Sequence, residues 1–290
     1  MAGEPRRGSL AGRLLRRIPL IVGLGLIVAV WIGLNATGIY FRDTVAYWRP
    51  DFNDLYGGRE VGVMSTYLYS PAFAQLVWPL GLLPWPVFAA LWSALNLAAL
   101  VWMVGPILGA ILLLIPGPVA DEVSTGNIHL LLAAAVVLGL RHPAAWALHL
   151  LTKVTPGVGV LWFVGRREWR QLGVAIGATA IIAVVSFALH PQAWVEWIDT
   201  LRRSSGTPVP GEVALIPGPL WLRGVVGVAI AVLAGLRGWG WLVPVAVAVA
   251  LPVPWSSGMA VLVASIPLSR GWWAPHLEHL RIQMRIRAGS

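Results

Sequence analysis

The chain has 290 residues, of which 58% are hydrophobic and 11% charged, and its mean hydropathy is +0.75. A soluble domain is roughly 45–50% apolar and about 25% charged, so these proportions argue against a water-soluble, single-core enzyme. Cations outnumber acids 21 to 12, for a net charge of +9, but the arginines cluster between apolar runs and read as topology signals, not as a nucleic-acid surface. The absence of cysteine excludes disulfides, thiolate metal sites and cysteine nucleophiles, and seventeen tryptophans suit a bilayer interface.

Residues 1–17 form a basic tail carrying Arg6, Arg7, Arg13, Arg16 and Arg17, followed by an apolar run over 18–38 that is long enough to span a bilayer. We read it as a retained first helix with the N-terminus in the cytoplasm, because many more apolar segments follow. The loop over 39–67 carries Arg42, Asp43, Arg49, Asp51, Asp54, Arg59 and Glu60 and then lies on the outer side. Apolar runs continue over 67–83, 85–104, 105–118, 128–140, 143–164, 172–189, 220–236, 239–255 and 259–268. Several are short and broken by proline, which is tolerated at membrane depth where protein or a water-filled cavity satisfies the freed backbone. The run over 105–118 either crosses or folds back.

Within the polar segment 190–218, Trp194, Trp197, Ile198 and Leu201 recur at helical spacing, which suits an amphipathic interfacial helix. Arg166, Arg167 and Arg170 mark a cytoplasmic loop, and residues 271–290 form a second basic tail. The predicted architecture is therefore all-α: a polytopic integral membrane protein whose single domain spans 18–270, with about eight to ten transmembrane helices.

No P-loop, dinucleotide fingerprint, nucleophile elbow or helical metal-binding histidine pair is present. His142 with His149, and His276 with His279, read as interfacial histidines. Asp43, beside Tyr40, Tyr47 and Trp48, reads on its own as a solvated loop acid, and a carboxylate partly desolvated against those rings could instead act as a general base. Lys153 is the single lysine and sits inside an apolar run, where a charge is expensive and marks function by default. Snorkelling at a helix break is the alternative.

Four elements in order carry a resemblance: Asp43 with Tyr47, the aromatic and proline-rich segment over 67–100, Gly126-Asn127 opening the next apolar run, and the segment over 153–170 that begins at Lys153. Together they resemble glycosyltransferase family 87, polytopic enzymes of GT-C type that use polyprenyl-phosphate sugars. Where family members usually read Gly-Gln with Asn two residues later, this chain has Gly126-Asn127 and then His129. The resemblance implies a GT-C-like fold in the plasma membrane. It also implies Asp43 as the catalytic base and transfer of mannose or arabinofuranose to an extracytoplasmic glycolipid or polysaccharide. Lys153, Arg49, Arg59, Arg202, Arg203, Arg223 and His190 are then candidates for the donor phosphate. Tyr47, Tyr69, Asn127, His129, Asp51 and Asp54 are possible substrate contacts, the last two also fallback acids. Inversion is expected, since one base and one displacement suffice. No cofactor, metal site or nucleic-acid partner is expected, and the sequence does not specify whether a divalent metal is required. A transporter or lipid flippase and an inactive GT-C-like scaffold are the rival readings.

Overall fold

A computed structural model describes residues 10–36, 42–57, 67–204 and 215–269. The candidate Arg59, both terminal basic tails beyond these limits and the pair His276 and His279 lie outside the described residues. No strand occurs among the described residues. The helices are α1 (Leu10–Ala36), α2 (Pro71–Gly81), α3 (Trp85–Val104), α4 (Pro106–Leu114), α5 (Pro118–Thr125) and α6 (His129–Gly139). They continue with α7 (Ala147–Thr152), α8 (Trp162–Gly165), α9 (Trp169–Leu189), α10 (Pro191–Ser204), α11 (Leu220–Arg237) and α12 (Val243–Val249). Short 3-10 segments occupy Thr44–Tyr47, Pro143–Trp146, Thr155–Leu161, Gly240–Leu242 and Ser257–Ala264.

Among the described residues α3, α9 and α11 are each long and apolar enough to cross a membrane, and α4 with α5 adds a fourth span if that pair counts as one. Shorter apolar stretches fill Leu20–Gly33, His129–Gly139, Thr155–Gly165, Gly240–Val249 and Ser257–Ser269. Large apolar side chains stand exposed along α1, α9 and α11, with Ile181, Val184, Trp221 and Val225 more than 60% accessible. Such a surface belongs in lipid, not in water.

Several stretches that look continuous in sequence are broken. The 105–118 run neither crosses straight nor stops: α4 and α5 meet at 89°, around Pro116, Gly117 and Pro118. The 143–164 run divides into α7, a 3-10 segment and α8, with Lys153 in extended backbone at the break (φ −125°, ψ 97°). Pro156 follows closely, lacks an N–H, and cannot continue α7. The first helix starts at Leu10, inside the basic segment, earlier than the apolar composition indicates. His149 departs from the interfacial reading: it is fully buried and packs against Trp146, ring centroids 5.0 Å apart. His142 is exposed.

One core joins α3, α4, α6 and the C-terminal segments through Leu100, Leu130, Phe163, Val247 and Val261. A second, aromatic core gathers Tyr47, Tyr67, Tyr69, Phe73, Phe88 and Trp92 where the loop after α1 meets α2, α3 and α6. The amphipathic helix over 191–204 forms as α10, with Trp194 and Trp197 turned to this core and Ile198 and Leu201 exposed. Arg223 is not held for an anion. Its guanidinium donates to the carbonyls of Gly218 (3.1 Å), Leu251 (2.5 Å) and Pro252 (2.9 Å), closing the end of α12.

The crossing of α8 on α11 is made by two glycines. A Cβ at Gly165 would lie 2.3 Å from the Val232 carbonyl oxygen, and one at Gly235 would lie 2.3 Å from that of Trp162. Small residues allow such close backbone approach between helices in lipid. Gly177 on α9 has nothing within 4 Å of an added Cβ. G235A is therefore expected to cost about 1–3 kcal/mol by overpacking, whereas G177A gains up to about 1 kcal/mol of helix propensity. Thermal unfolding in detergent, with the two variants moving in opposite directions, checks this.

Candidate active site

The site is built on a turn. Gly126 ends α5 in left-handed geometry (φ 66°, ψ 35°), a conformation that glycine adopts without penalty, and its N–H bonds back to Glu122 O at 2.9 Å. The Gly126 carbonyl then accepts two bonds from other elements, from Trp92 Nε1 at 2.7 Å and Thr44 Oγ1 at 3.0 Å. With Asp43 N–H donating to Thr125 O at 3.0 Å, these contacts fasten the loop after α1 to the bundle. The aromatic side chains add their polar ends: Tyr56 donates to Tyr69 O (2.6 Å), Trp48 to Leu83 O (2.9 Å) and Trp197 to Leu68 O (3.2 Å).

Asn127 follows the turn and is the centre of the site. Its Oδ1 accepts the Ile128 N–H at 2.8 Å, which fixes the amide so that Nδ2 faces Asp43 and donates to Oδ2 at 2.7 Å. The other Asp43 oxygen takes no hydrogen bond among the described residues, and the residue is partly exposed. The hydroxyls of Tyr47 and Tyr69 are 3.0 Å apart and lie 3.4 and 3.2 Å from Asn127 Oδ1. Burial pushes the Tyr47 phenol well above its ordinary value, and nearby Tyr69 and Asp43 push it further, so it remains a neutral hydroxyl.

Lys153 stands over the Tyr69 ring, its Nζ 5.7 Å from the centroid. That ammonium contacts His129 Nε2 at 2.5 Å, and His129 Nδ1 contacts Glu122 Oε2 at 2.9 Å. Glu122 Oε1 accepts the backbone N–H groups of His129 and Leu130, capping α6 from the preceding helix. Asp43, Tyr47, Tyr69 and Asn127 thus share one hydrogen-bonded network and Lys153, His129 and Glu122 another, and the two meet where the Lys153 ammonium stands over the Tyr69 ring.

The remaining candidates are placed elsewhere. Arg49 is exposed and stacks over Trp48 at 4.7 Å. Asp51 accepts its own loop's Asn53 N–H at 3.0 Å, and Asp54 is exposed beside Gly57. His190 stacks on Phe52 at 4.3 Å and meets Gln75 Nε2 at 3.0 Å. Arg202 pairs with Asp199 at 3.3 Å on α10, where Arg203 donates to Thr200 at 3.3 Å.

Sequence reasoning missed Glu122. Its signal was available, because a carboxylate between two apolar runs invites the same argument that singled out Lys153. Among the described residues no group of three or more His, Asp or Glu is arranged to hold a metal ion.

The model of glycosyltransferase family 87 matches residues 67–268 of the chain. No curated protein and no solved structure matches it. The matched span contains Tyr69, Glu122, Asn127, His129 and Lys153, while Asp43 precedes it and is tied to the span by the Asn127 hydrogen bond.

Removing both donors to the Gly126 carbonyl, with T44V and W92F together, leaves a buried acceptor unpaired at a cost of roughly 1–3 kcal/mol. Amide hydrogen exchange in residues 42–57 is expected to speed about tenfold or more, with exchange in α9 unchanged.

Proposed function

The chain belongs to glycosyltransferase family 87 and is a glycosyltransferase, and on that footing we propose that it moves a sugar from a polyprenyl-phosphate donor to a glycolipid or glycan acceptor outside the cytoplasm. The observation that carries the reading is that one carboxylate with a free oxygen, Asp43, is held by Asn127, whose amide also meets the Tyr69 hydroxyl, while the Lys153 ammonium stands over the Tyr69 ring.

A single displacement needs both groups. The acceptor hydroxyl oxygen attacks the anomeric carbon and its proton passes to Asp43. The bond from that carbon to the phosphate oxygen breaks on the opposite face, and its electron pair leaves with the phosphate. One displacement inverts the anomeric centre. The donor is a phosphodiester with one negative charge, and the leaving polyprenyl phosphate carries two. Lys153 is assigned to that developing charge, where a fixed cation in a poorly hydrated site is most effective. Asn127 holds the base by one oxygen and leaves the other for the proton.

We further propose mannose or arabinofuranose as the sugar, a multi-pass arrangement in the plasma membrane with about eight to ten crossings, and a cytoplasmic N-terminus. Asp43 then lies on the outer face with the acceptor. Arg49, Arg202, Arg203 and His190 are left to bind headgroups or more distant parts of the donor. The reaction is assigned no metal-dependent step.

Purified protein in lipid nanodiscs, given labelled polyprenyl-phosphate mannose or arabinofuranose and an acceptor glycolipid extract, is expected to yield labelled glycolipid. D43N is expected to lower transfer by about 10²–10⁴-fold, the usual worth of a general base. Transfer by D43N at the wild-type rate would overturn the assignment. N127D tests the environment of the base. Two carboxylates at hydrogen-bonding distance retain a proton between them, so transfer is expected to fall about tenfold near neutral pH and to recover as the pH is raised.

A further inference from the structure

The polar network does not end at Lys153. Glu122 and His129 are 0% and 1% exposed, whereas Lys153 keeps part of its surface open. The proton positions along the chain follow from its two ends. An ionised carboxylate only accepts hydrogen bonds, and Glu122 already accepts two backbone N–H groups through Oε1. With Glu122 ionised, the ring nitrogen facing Oε2 carries the proton, which leaves a lone pair on Nε2. Lys153 donates into that lone pair.

Two further features bear on what this arrangement does. Lys153 sits in extended backbone at the end of α7, so no regular helix fixes its long side chain. Opposite buried charges separated by one neutral ring compensate each other, which is how an ion pair is tolerated away from water. The imidazole is thus a spacer of fixed length between the carboxylate and the ammonium. It occupies one of the three ammonium N–H bonds and leaves two for a ligand.

We propose that Glu122 and His129 are positioning residues, which hold the Lys153 ammonium beside Tyr69 so that its two remaining N–H bonds meet the oxygens of a lipid-linked phosphate. The ligand class is the phosphate monoester headgroup of a polyprenyl phosphate, the leaving group of the reaction. The inference rests on the reading above that the donor is a polyprenyl phosphate. It adds that the affinity for this headgroup depends on a carboxylate and an imidazole that do not touch it.

The experiment measures equilibrium binding of a short-chain polyprenyl phosphate, and of the matching polyprenol, to protein in nanodiscs. Wild type is expected to prefer the phosphate, and K153A to lose that preference while retaining affinity for polyprenol. E122Q presents an amide to partners that need only acceptors. Either an N–H of residues 129 and 130 loses its acceptor, or the ring turns its proton to Nε2 and confronts Lys153 with a donor. H129N retains a donor near the Nδ1 position for Glu122 and deletes the Nε2 lone pair. Each variant is expected to weaken phosphate binding about tenfold, the worth of one charge-assisted hydrogen bond, and to change it less than about twofold when added to K153A. Equal losses on the wild-type and K153A backgrounds would mean a merely structural role and overturn the proposal. Full affinity in both E122Q and H129N beside loss in K153A would overturn it too, leaving the donor assignment intact. Failure of wild type to prefer polyprenyl phosphate over polyprenol would overturn the donor assignment and this proposal with it. Thermal unfolding is followed in parallel, and H129N carries the test if E122Q does not fold.

Discussion

The amide of Asn127 is the contact on which the site depends. Its carbonyl oxygen is fixed by the Ile128 N–H at 2.8 Å, and that bond determines which atom faces Asp43. A neutral donor 2.7 Å from the carboxylate holds it without removing its charge. The amide also reaches both tyrosine hydroxyls, so the loop after the first helix, the segment before α2 and the turn between α5 and α6 share one anchor. None of this works unless α5 stops where it does, and the left-handed Gly126 makes that stop possible. The turn comes first, the amide is placed by the turn, and the acid is placed by the amide.

The same chain shows how a membrane protein keeps irregular backbone out of lipid. Helices broken by proline or glycine expose carbonyl and N–H groups that the bilayer cannot satisfy. At the end of α12 the carbonyls are taken by Arg223. At the start of α6 the N–H groups are taken by Glu122. These are charged side chains in otherwise apolar surroundings, and each is satisfied by several backbone partners. They differ in one respect. The Arg223 guanidinium is directed to carbonyls, whereas the second oxygen of Glu122 faces a histidine and through it a lysine.

Much of this was legible in the sequence, for reasons that also explain what was not. A charge is costly inside an apolar run, so Lys153 stood out, while Asp43 was picked from a charged loop by its aromatic neighbours and by the resemblance; Asn127 and Tyr69 lie between the two. The long spans α3, α9 and α11 were readable because length and hydropathy decide them. Breaks inside apolar runs were harder. Proline shows that a helix is interrupted, but the 89° bend between α4 and α5 depends on what packs around it. One arginine misled for a related reason: sequence gives the number and order of the arginines, whereas their use depends on the nearest acceptors. Arg223 was grouped with phosphate-binding candidates, and its donors are occupied by carbonyls. Glu122 and Asp121 lay between two apolar runs, and only the three-dimensional turn shows that Glu122 faces back toward His129.

Charge conservation links the parts of the proposed site. In the proposed step Asp43 and Glu122 each start with one negative charge, Lys153 with one positive charge, and the bound phosphodiester with one negative charge. After transfer Asp43 is neutral and the departing phosphate carries two negative charges, so the total within the site is unchanged. In a poorly hydrated region a change in net charge is costly, while moving a charge from one fixed position to another can be prepared for by dipoles already in place. In that step the charge leaves Asp43, held by Asn127, and arrives where the Lys153 ammonium stands over Tyr69. A lysine whose counter-charge is buried behind a histidine is suited to receive it, because the partner that keeps it ionised does not compete for the face that meets the phosphate. The single lysine of a chain with twenty arginines fits that place, since a compact ammonium can share its three N–H bonds between an imidazole and a phosphate.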